Sequence, residues 1–267
     1  MGRHRHRGQT SEVATSESSD PSTYGRSFAD VYDDWYATSF ETDAAVAALL
    51  QLAGSGPILE LGVGTGRLAL PLSRSGVRVV GIDASQEMLD ELERVDPTRS
   101  VVPVLGDMAN IEHSLRSADL TDRFSLVFCA FNTLLNVENF DALSRCFQGS
   151  REFLLPDGRV VVEAFVPIEE SMIPAQSLSP ARVESDAPVF IETTYDRSTS
   201  RLHGRHIEVW PGVVRVRPWS VLICGPEQLD AAAHTAGLVL LERQSDWNGT
   251  PFTNESTAHV SIYAPTA

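Results

Sequence analysis

The chain has 267 residues, 42% of them hydrophobic, enough to bury one α/β core with additions but short for two full domains. Its formal net charge is −15 and all 21 basic residues are arginine, a balance that argues against non-specific nucleic-acid binding, which needs clustered cations to neutralise phosphate. No apolar run approaches the ~18 residues of a membrane span, and Cys129, Cys146 and Cys224 lie far apart with no Cys-x-x-Cys, the pattern of reduced core thiols in a cytoplasmic protein.

Residues 1–22 are rich in Ser, Thr, Glu and Arg and are expected to be a disordered tail. Their start, Met-Gly-Arg-His-Arg-His-Arg, has no apolar h-region, so no secretory signal is expected. Residues 23–55 read as an N-terminal helical element. Phe28, Tyr32, Trp35 and Tyr36 fall on one face of a helix, and Ala44, Val46, Leu49 and Leu50 continue the helical pattern.

The most informative stretch runs from Pro57 to Leu72 and opens a core expected over 56–166. Ile58, Leu59 and Leu61 form a short apolar run suited to a strand buried on both faces. Gly62, Gly64 and Gly66 follow on alternate positions, and Leu68 and Leu72 then lie one helical turn apart. Strand, glycine turn and helix N-terminus together let backbone approach a ligand at the end of a sheet. Glu60 puts a carboxylate just before the first glycine. A dinucleotide fingerprint, Gly-x-Gly-x-x-Gly, would need glycine where Arg67 stands, and an acid beside the loop would repel pyrophosphate. A second strand, Val77 to Ile82, ends in Asp83, placed to accept two ribose hydroxyls or to cap the next helix, which carries Met88. The third, Val101 to Leu105, leads to Gly106-Asp107-Met108. Glu60, Asp83 and Asp107 thus close three successive strands. A fourth strand, Phe124 to Ala130, ends near Asn132, and a Pro156-Asp157-Gly158 turn precedes a fifth, Arg159 to Val166.

Residues 167–224 interrupt this alternation. A Ser/Pro-rich loop to about Ala187 is followed by three β-like runs, Val189–Tyr195, Arg201–Trp210 and Val213–Cys224, the last two joined by a Pro-Gly type II turn. His203, Arg205, His206 and Trp210 stand out there. The segment 225–267 completes the core with a Pro226-to-Gly237 helix and two strands, Leu238–Arg243 and His259–Tyr263.

With its Glu-x-Gly-x-Gly-x-Gly motif and ordered acids, the chain resembles the class I S-adenosylmethionine-dependent methyltransferases over about residues 24–264. Its aromatic N-terminal segment resembles that of small-molecule N-methyltransferases of the glycine and amino-sugar type. The resemblance implies a Rossmann-like α/β fold: a seven-stranded doubly wound sheet with one antiparallel edge strand, plus the antiparallel β insertion as acceptor wall or homodimer contact. It implies S-adenosyl-L-methionine as cofactor, with Glu60, Gly62, Gly64, Gly66, Asp83, Met88, Asp107, Met108 and Asn132 around it. Tyr32 and Tyr36 then become candidates for the acceptor side, and His206, which alternation puts on the side of Trp210, is the further catalytic candidate.

Methyl transfer needs no metal and no covalent intermediate. A small-molecule amine acceptor in natural-product tailoring is the expectation, because no histidine stands where an O-methyltransferase needs a base. O-methylation, a non-methylating binder of the same cofactor, and use of the cofactor in decarboxylation or cyclisation are the alternatives. The Asn/Asp-Pro-Pro-Tyr/Phe signature of some DNA and protein-glutamine methyltransferases is absent.

Overall fold

Two short helices, Thr23–Phe28 (α1) and Tyr32–Tyr36 (α2), and a longer one, Thr42–Ala53 (α3), precede the first strand of the computed structural model, which describes residues 20–36, 41–183 and 187–266. Most of the expected tail, through residue 19, lies outside the described residues. The single aromatic helix expected from the spacing is broken at Ala29–Val31. There Asp30 turns out to accept from Arg215 and Arg217, so a tertiary ion pair overrides local helical preference. The aromatic side chains still meet, with ring centroids 6.1 Å apart for Phe28 and Trp35 and 5.1 Å for Tyr32 and Tyr36.

The expected alternation then runs in order: Ile58–Leu61 (β1), Ala69–Arg74 (α4), Val79–Asp83 (β2), Gln86–Val95 (α5), Val101–Leu105 (β3), Ile111–Ser117 (α6), Phe124–Cys129 (β4), Phe140–Phe153 (α7) and Leu154–Phe165 (β5). β1 is buried along its whole length and pairs in parallel with β2 and β4, which makes it the centre of the sheet. Its side chains alternate between two cores. Leu59 and Leu61 join the core containing Leu115, Leu143, Phe147 and Leu229; Ile58 joins the one containing Leu49, Leu72, Leu89 and Leu92. Helices therefore cover both faces, as a parallel sheet requires. β5 begins earlier than expected. Leu154 already pairs with Phe124, and the Pro-Asp-Gly residues are absorbed in a register shift before Arg159 meets Leu126.

The insertion is a separate antiparallel sheet of four strands: Gln176–Arg182 (β6), Val189–Asp196 (β7), Arg201–Trp210 (β8) and Val213–Leu222 (β9), in that order. β6 occupies the stretch expected to be loop. It is an exposed edge strand carrying Pro180 and a register irregularity, so it has no apolar alternation for the sequence to reveal. Pro211-Gly212 closes the β8–β9 hairpin, with Gly212 at φ +82° as a type II turn demands.

Pro226–Thr235 (α8) starts with proline and a Gly225 N–H that donates to Gln228 Oε1 at 2.8 Å, and Gly237 follows it at φ +75°. Leu238–Gln244 (β10) and Ala258–Pro265 (β11) finish the large sheet, whose order is β10-β11-β5-β4-β1-β2-β3. β11 runs antiparallel to both β5 and the outermost β10, giving the sheet its antiparallel edge. All three cysteines are buried and unpaired. Among the described residues no helix is long and apolar enough to cross a membrane.

A polar cluster is buried in that edge. Tyr263 and Arg243 donate to Asp230 at 2.8 and 2.6 Å, and Arg243 Nε donates to Ser261 Oγ at 2.8 Å. The Ser261 hydroxyl is then left to donate to His259 Nδ1, also at 2.8 Å, and the fully buried His259 has no partner at Nε2. Burial, with Arg243 nearby, pushes the imidazole down to about 4. Its folded value lies below the ordinary 6.5, so only the unfolded chain binds this proton between those pH values. Stability is therefore expected to fall by up to about 3 kcal/mol as pH drops from 6.5 to 4. Urea midpoints across that range should show the slope in the wild type and a flatter one in His259→Leu.

Candidate active site

The carboxyl ends of β1, β2, β3 and β4 meet at a cavity of about 350 Å³. The backbone after β1 makes its floor. Gly62 and Gly64 line it at φ +74° and +54°; a Cβ on Gly62 would lie 2.2 Å from Thr133 Cγ2, whereas Gly64 has open space beside it. Gly62 is thus fixed by close packing against the segment after β4, and Gly64 leaves its backbone bare to a ligand. Gly66, at φ +88°, is off the cavity wall; a side chain there would strike Leu92 and Leu70, so it serves helix packing.

Asp83 closes β2 and lines the cavity. Its Oδ2 accepts from Gly64 N–H at 2.8 Å and its Oδ1 from Ser85 N–H at 2.9 Å. Each oxygen keeps a further lone pair, so the carboxylate can accept ligand hydroxyls as well. Burial raises its pKa above the ordinary carboxylate value, opposed by those backbone donors. Met88, Asp107 and Met108 line the same cavity, and Asp107 caps the following turn by accepting from Ala109 N–H at 2.8 Å.

Glu60 is 5% exposed and is not on the cavity wall. Alternation turns it toward α4, where it meets the Ala69 N–H and Arg67, yet Oε2 has no partner. Burial pushes its carboxyl up to about 8, a shift that Arg67 opposes and Asp83 reinforces. A buried carboxylate oxygen without a partner beside a bare glycine loop is suited to a ligand cation.

After β4 the chain makes a strained turn. Phe131 and Asn132 both have left-handed backbones, at φ +50° and +63°. Glu163 holds them, its Oε2 accepting from Phe131 N–H at 2.7 Å and its carbonyl from Asn132 N–H at 3.1 Å. Asn132 lines the cavity, but its Oδ1 is committed to Phe165 N–H at 2.6 Å, which leaves its amide N–H groups for a ligand.

The N-terminal helices roof the site. A Cβ on Gly25 would lie 2.3 Å from Ser85 Cβ, so α1 rests directly on the start of α5. Thr65 Oγ1 donates to Asp33 Oδ1 at 2.7 Å, tying α2 to the glycine loop. Tyr24 and Tyr32 line the cavity, and burial holds both phenols well above their ordinary value. Tyr36 does not line it; it is hydrogen-bonded to Tyr24 and packs on Phe131 at 5.8 Å. His206 is also off the wall. It packs against Phe28 and Trp35, and its Nδ1 accepts from Trp219 Nε1 at 3.0 Å. Burial and Arg217 lower its basicity.

The structure therefore gathers Gly62, Gly64, Asp83, Met88, Asp107, Met108, Asn132 and Tyr32 on one cavity and leaves Glu60, Gly66, Tyr36 and His206 behind its wall. Sequence reasoning missed Tyr24, Phe131, Glu138, Arg145 and Trp219, which also line it. Tyr24 carried a signal, since it lies eight residues before Tyr32 in the same aromatic segment; Trp219 carried none.

A family model described as a methyltransferase domain matches residues 58–158, the span from β1 into β5. The CcbJ methyltransferase of Streptomyces caelestis is 36% identical, and the match covers 93% of this chain and 100% of that one with a TM-score of 0.83. The cypemycin N-terminal methyltransferase of a Streptomyces species is 29% identical over 155 residues, 57% of this chain and 60% of that relative's length. CalS10, an amino pentose methyltransferase of Micromonospora echinaspora solved with S-adenosylmethionine bound, shares the fold at 19% identity, with 87% and 96% of the two chains covered and a TM-score of 0.62.

Asp83→Ala removes both a ligand acceptor and the partner of Gly64 N–H. It is expected to weaken S-adenosylhomocysteine binding by roughly 1.5–3 kcal/mol, read by calorimetry on the folded variant.

Proposed function

The chain belongs to the S-adenosylmethionine-dependent methyltransferases, and from that premise we propose that it methylates an amine nitrogen of a small natural-product acceptor. The observation that carries this reading is the state of the cavity's hydroxyl groups. Tyr24 and Tyr32 are held protonated by burial, so they donate and accept hydrogen bonds but do not abstract protons. Among the described residues lining the cavity there is no histidine, and its other proton acceptors, Asp83, Asp107 and Glu138, are carboxylates, a class of side chain far less basic than an alkoxide or phenolate. A neutral amine attacks without prior loss of a proton, whereas an alcohol or phenol needs a base. The cypemycin N-terminal methyltransferase and the amino pentose methyltransferase, by their names, support the same choice.

When bound, S-adenosylmethionine supplies a methyl on a sulfonium, open to in-line displacement. The residues fit such a group. In this reading Glu60 would act on its ammonium from behind the glycine loop, the backbone of Gly62 and Gly64 would run against it, and Asp83 would accept the ribose hydroxyls. Asp107 accepts from the adenine amino group, while Met88 and Met108 pack on the ring. Asn132 offers its amide N–H to the methionine portion or to the acceptor. Tyr32 orients the acceptor nitrogen, and Tyr36 fixes the roof through Tyr24 and Phe131. Gly66 shapes the loop from outside the cavity. His206 acts through Trp219 and not as a base. The contribution of the protein is mainly alignment, an effect that can supply roughly 7–11 kcal/mol.

Incubation with S-adenosylmethionine and paired acceptors, an amine and its hydroxyl counterpart, tests the reading. Methyl on nitrogen is the expected product; transfer only to oxygen would overturn it. Tyr32→Phe should lower turnover by about 10–100-fold with S-adenosylhomocysteine affinity little changed, whereas Tyr36→Phe should have the smaller effect. A second expectation concerns pH. With its carboxyl near 8 in the free protein, Glu60 must lose a proton to face a cation. Affinity for S-adenosylhomocysteine is therefore expected to drop as pH falls from 8 toward 6.5, and to be weaker and flatter in Glu60→Gln.

A further inference from the structure

One face of the four-stranded sheet turns toward the cavity and the roof. Along it β8 and β9 pair Leu202 with Val221, Gly204 with Trp219, His206 with Arg217 and Glu208 with Arg215. Leu202, Val221 and Trp219 line the cavity, His206 packs under α1 and α2, and Arg217 reaches Asp30.

Two features hold the indole of Trp219 in place. A Cβ on Gly204 would lie 2.1 Å from Trp219 Cε2 and Cζ2, so the six-membered ring occupies the space directly over that residue. Gly204 has no left-handed backbone, so the glycine provides this close approach and not a turn. In addition, Trp219 Nε1 donates to His206 Nδ1 at 3.0 Å. That bond requires the imidazole proton on Nε2 and fixes both rings. A glycine inside a strand weakens it, so the arrangement is a costly way to seat a side chain that only fills space.

The half-buried Trp219 is shared with a second cavity of about 660 Å³, and so is Glu138. The second cavity also carries Asp141, Asp20, which is paired with Arg26, and Asp196, which accepts from Ser198 and Thr199; Arg201 and His203 are its basic lining residues. Arg201 is largely spent, donating to the carbonyls of Val137 and Glu138 and to Ser220 Oγ. An indole and a carboxylate common to two cavities, the outer one rich in carboxylates, form the chemistry that recognises an organic cation.

We propose that Trp219, seated on Gly204 and oriented by His206, is with Glu138 a specificity determinant that admits an acceptor carrying an alkylammonium group, its polar body resting in the second cavity. This rests on the N-methylation reading and names the acceptor class for it. The ammonium is the form recognised; the free amine attacks after its proton has left to solvent. Gly204 and His206 are positioning residues.

The test uses the full chain saturated with S-adenosylhomocysteine, titrated with choline and with its neutral isostere 3,3-dimethyl-1-butanol. Indole N–H resonances are followed, that of Trp219 assigned by its loss in Trp219→Phe. Choline is expected to move the Trp219 resonance and to bind about tenfold tighter than the isostere. Trp219→Leu and Glu138→Gln should each reduce that preference to about threefold or less. Gly204→Ala, which displaces the indole without removing it, should do the same. His206→Gln, which keeps an acceptor, should retain the preference, and His206→Leu should lose it. Retained S-adenosylhomocysteine binding marks each variant as folded, and Gly204→Ala and His206→Leu carry the test where Trp219→Leu does not fold. Equal binding of the two probes, an unmoved Trp219 resonance, or a preference that survives in Gly204→Ala and His206→Leu would overturn the inference. Methylation of oxygen acceptors alone would overturn the N-methylation reading by a separate result, with the choline preference unaffected.

Discussion

The bond from Gly64 N–H to Asp83 Oδ2 is the constraint on which the site depends, because it fixes the end of β1 against the end of β2. Through it the bare stretch of the glycine loop and the carboxylate face one space. Other contacts extend from this bond. Thr133 packs where Gly62 lacks a side chain, Thr65 ties the loop to Asp33, and Ser85, the second donor to Asp83, supports Gly25 of the roof. A charge-assisted bond of this kind contributes about 1.5–3 kcal/mol. Its larger effect is geometric, since moving Asp83 would disturb floor and roof together.

Two of the interactions that attach the roof differ in strength. Phe28 is completely buried, which is worth about 1.5–3 kcal/mol. The charged attachment is a chain: Glu208 and Arg217 are both buried and pair with each other, and Arg217 reaches outward to Asp30 and the Ser27 carbonyl. Losing one partner of the buried pair would cost about 3–5 kcal/mol, because the other charge would remain in the interior. The Asp30 side chain is 54% exposed, so its arm contributes only about 0–1 kcal/mol. Aromatic packing therefore holds the roof, while the buried ion pair fixes the insertion on which it rests.

How much could be read from the sequence follows from the range of each interaction. The glycine loop, the acids at three strand ends and the Pro-to-Gly limits of α8 are local patterns, and each was legible. The break between α1 and α2 was not, because Asp30 answers to arginines of β9. β6 was not, because an exposed edge strand needs no apolar alternation. Trp219 was read only as part of a β-like run; its importance comes from a register that sets it opposite Gly204, and register is not written in either strand alone. His206 drew attention as a conspicuous residue, but its partner is an indole and not the cavity.

The contacts between Arg217 and the N-terminal helices span 187 to 190 residues of sequence. A ribosome must therefore release β9 before the roof, already able to rest on α5 and the glycine loop, can close on the insertion. Until then the aromatic face of residues 24–36 has no sheet to cover it, and the nascent chain carries exposed apolar surface through most of its synthesis. Closing so long a loop is also slow compared with forming the adjacent strand pairs of the core. The large sheet can be assembled through β5 while the cavity is still open, so binding competence should be the last property the molecule gains as it folds.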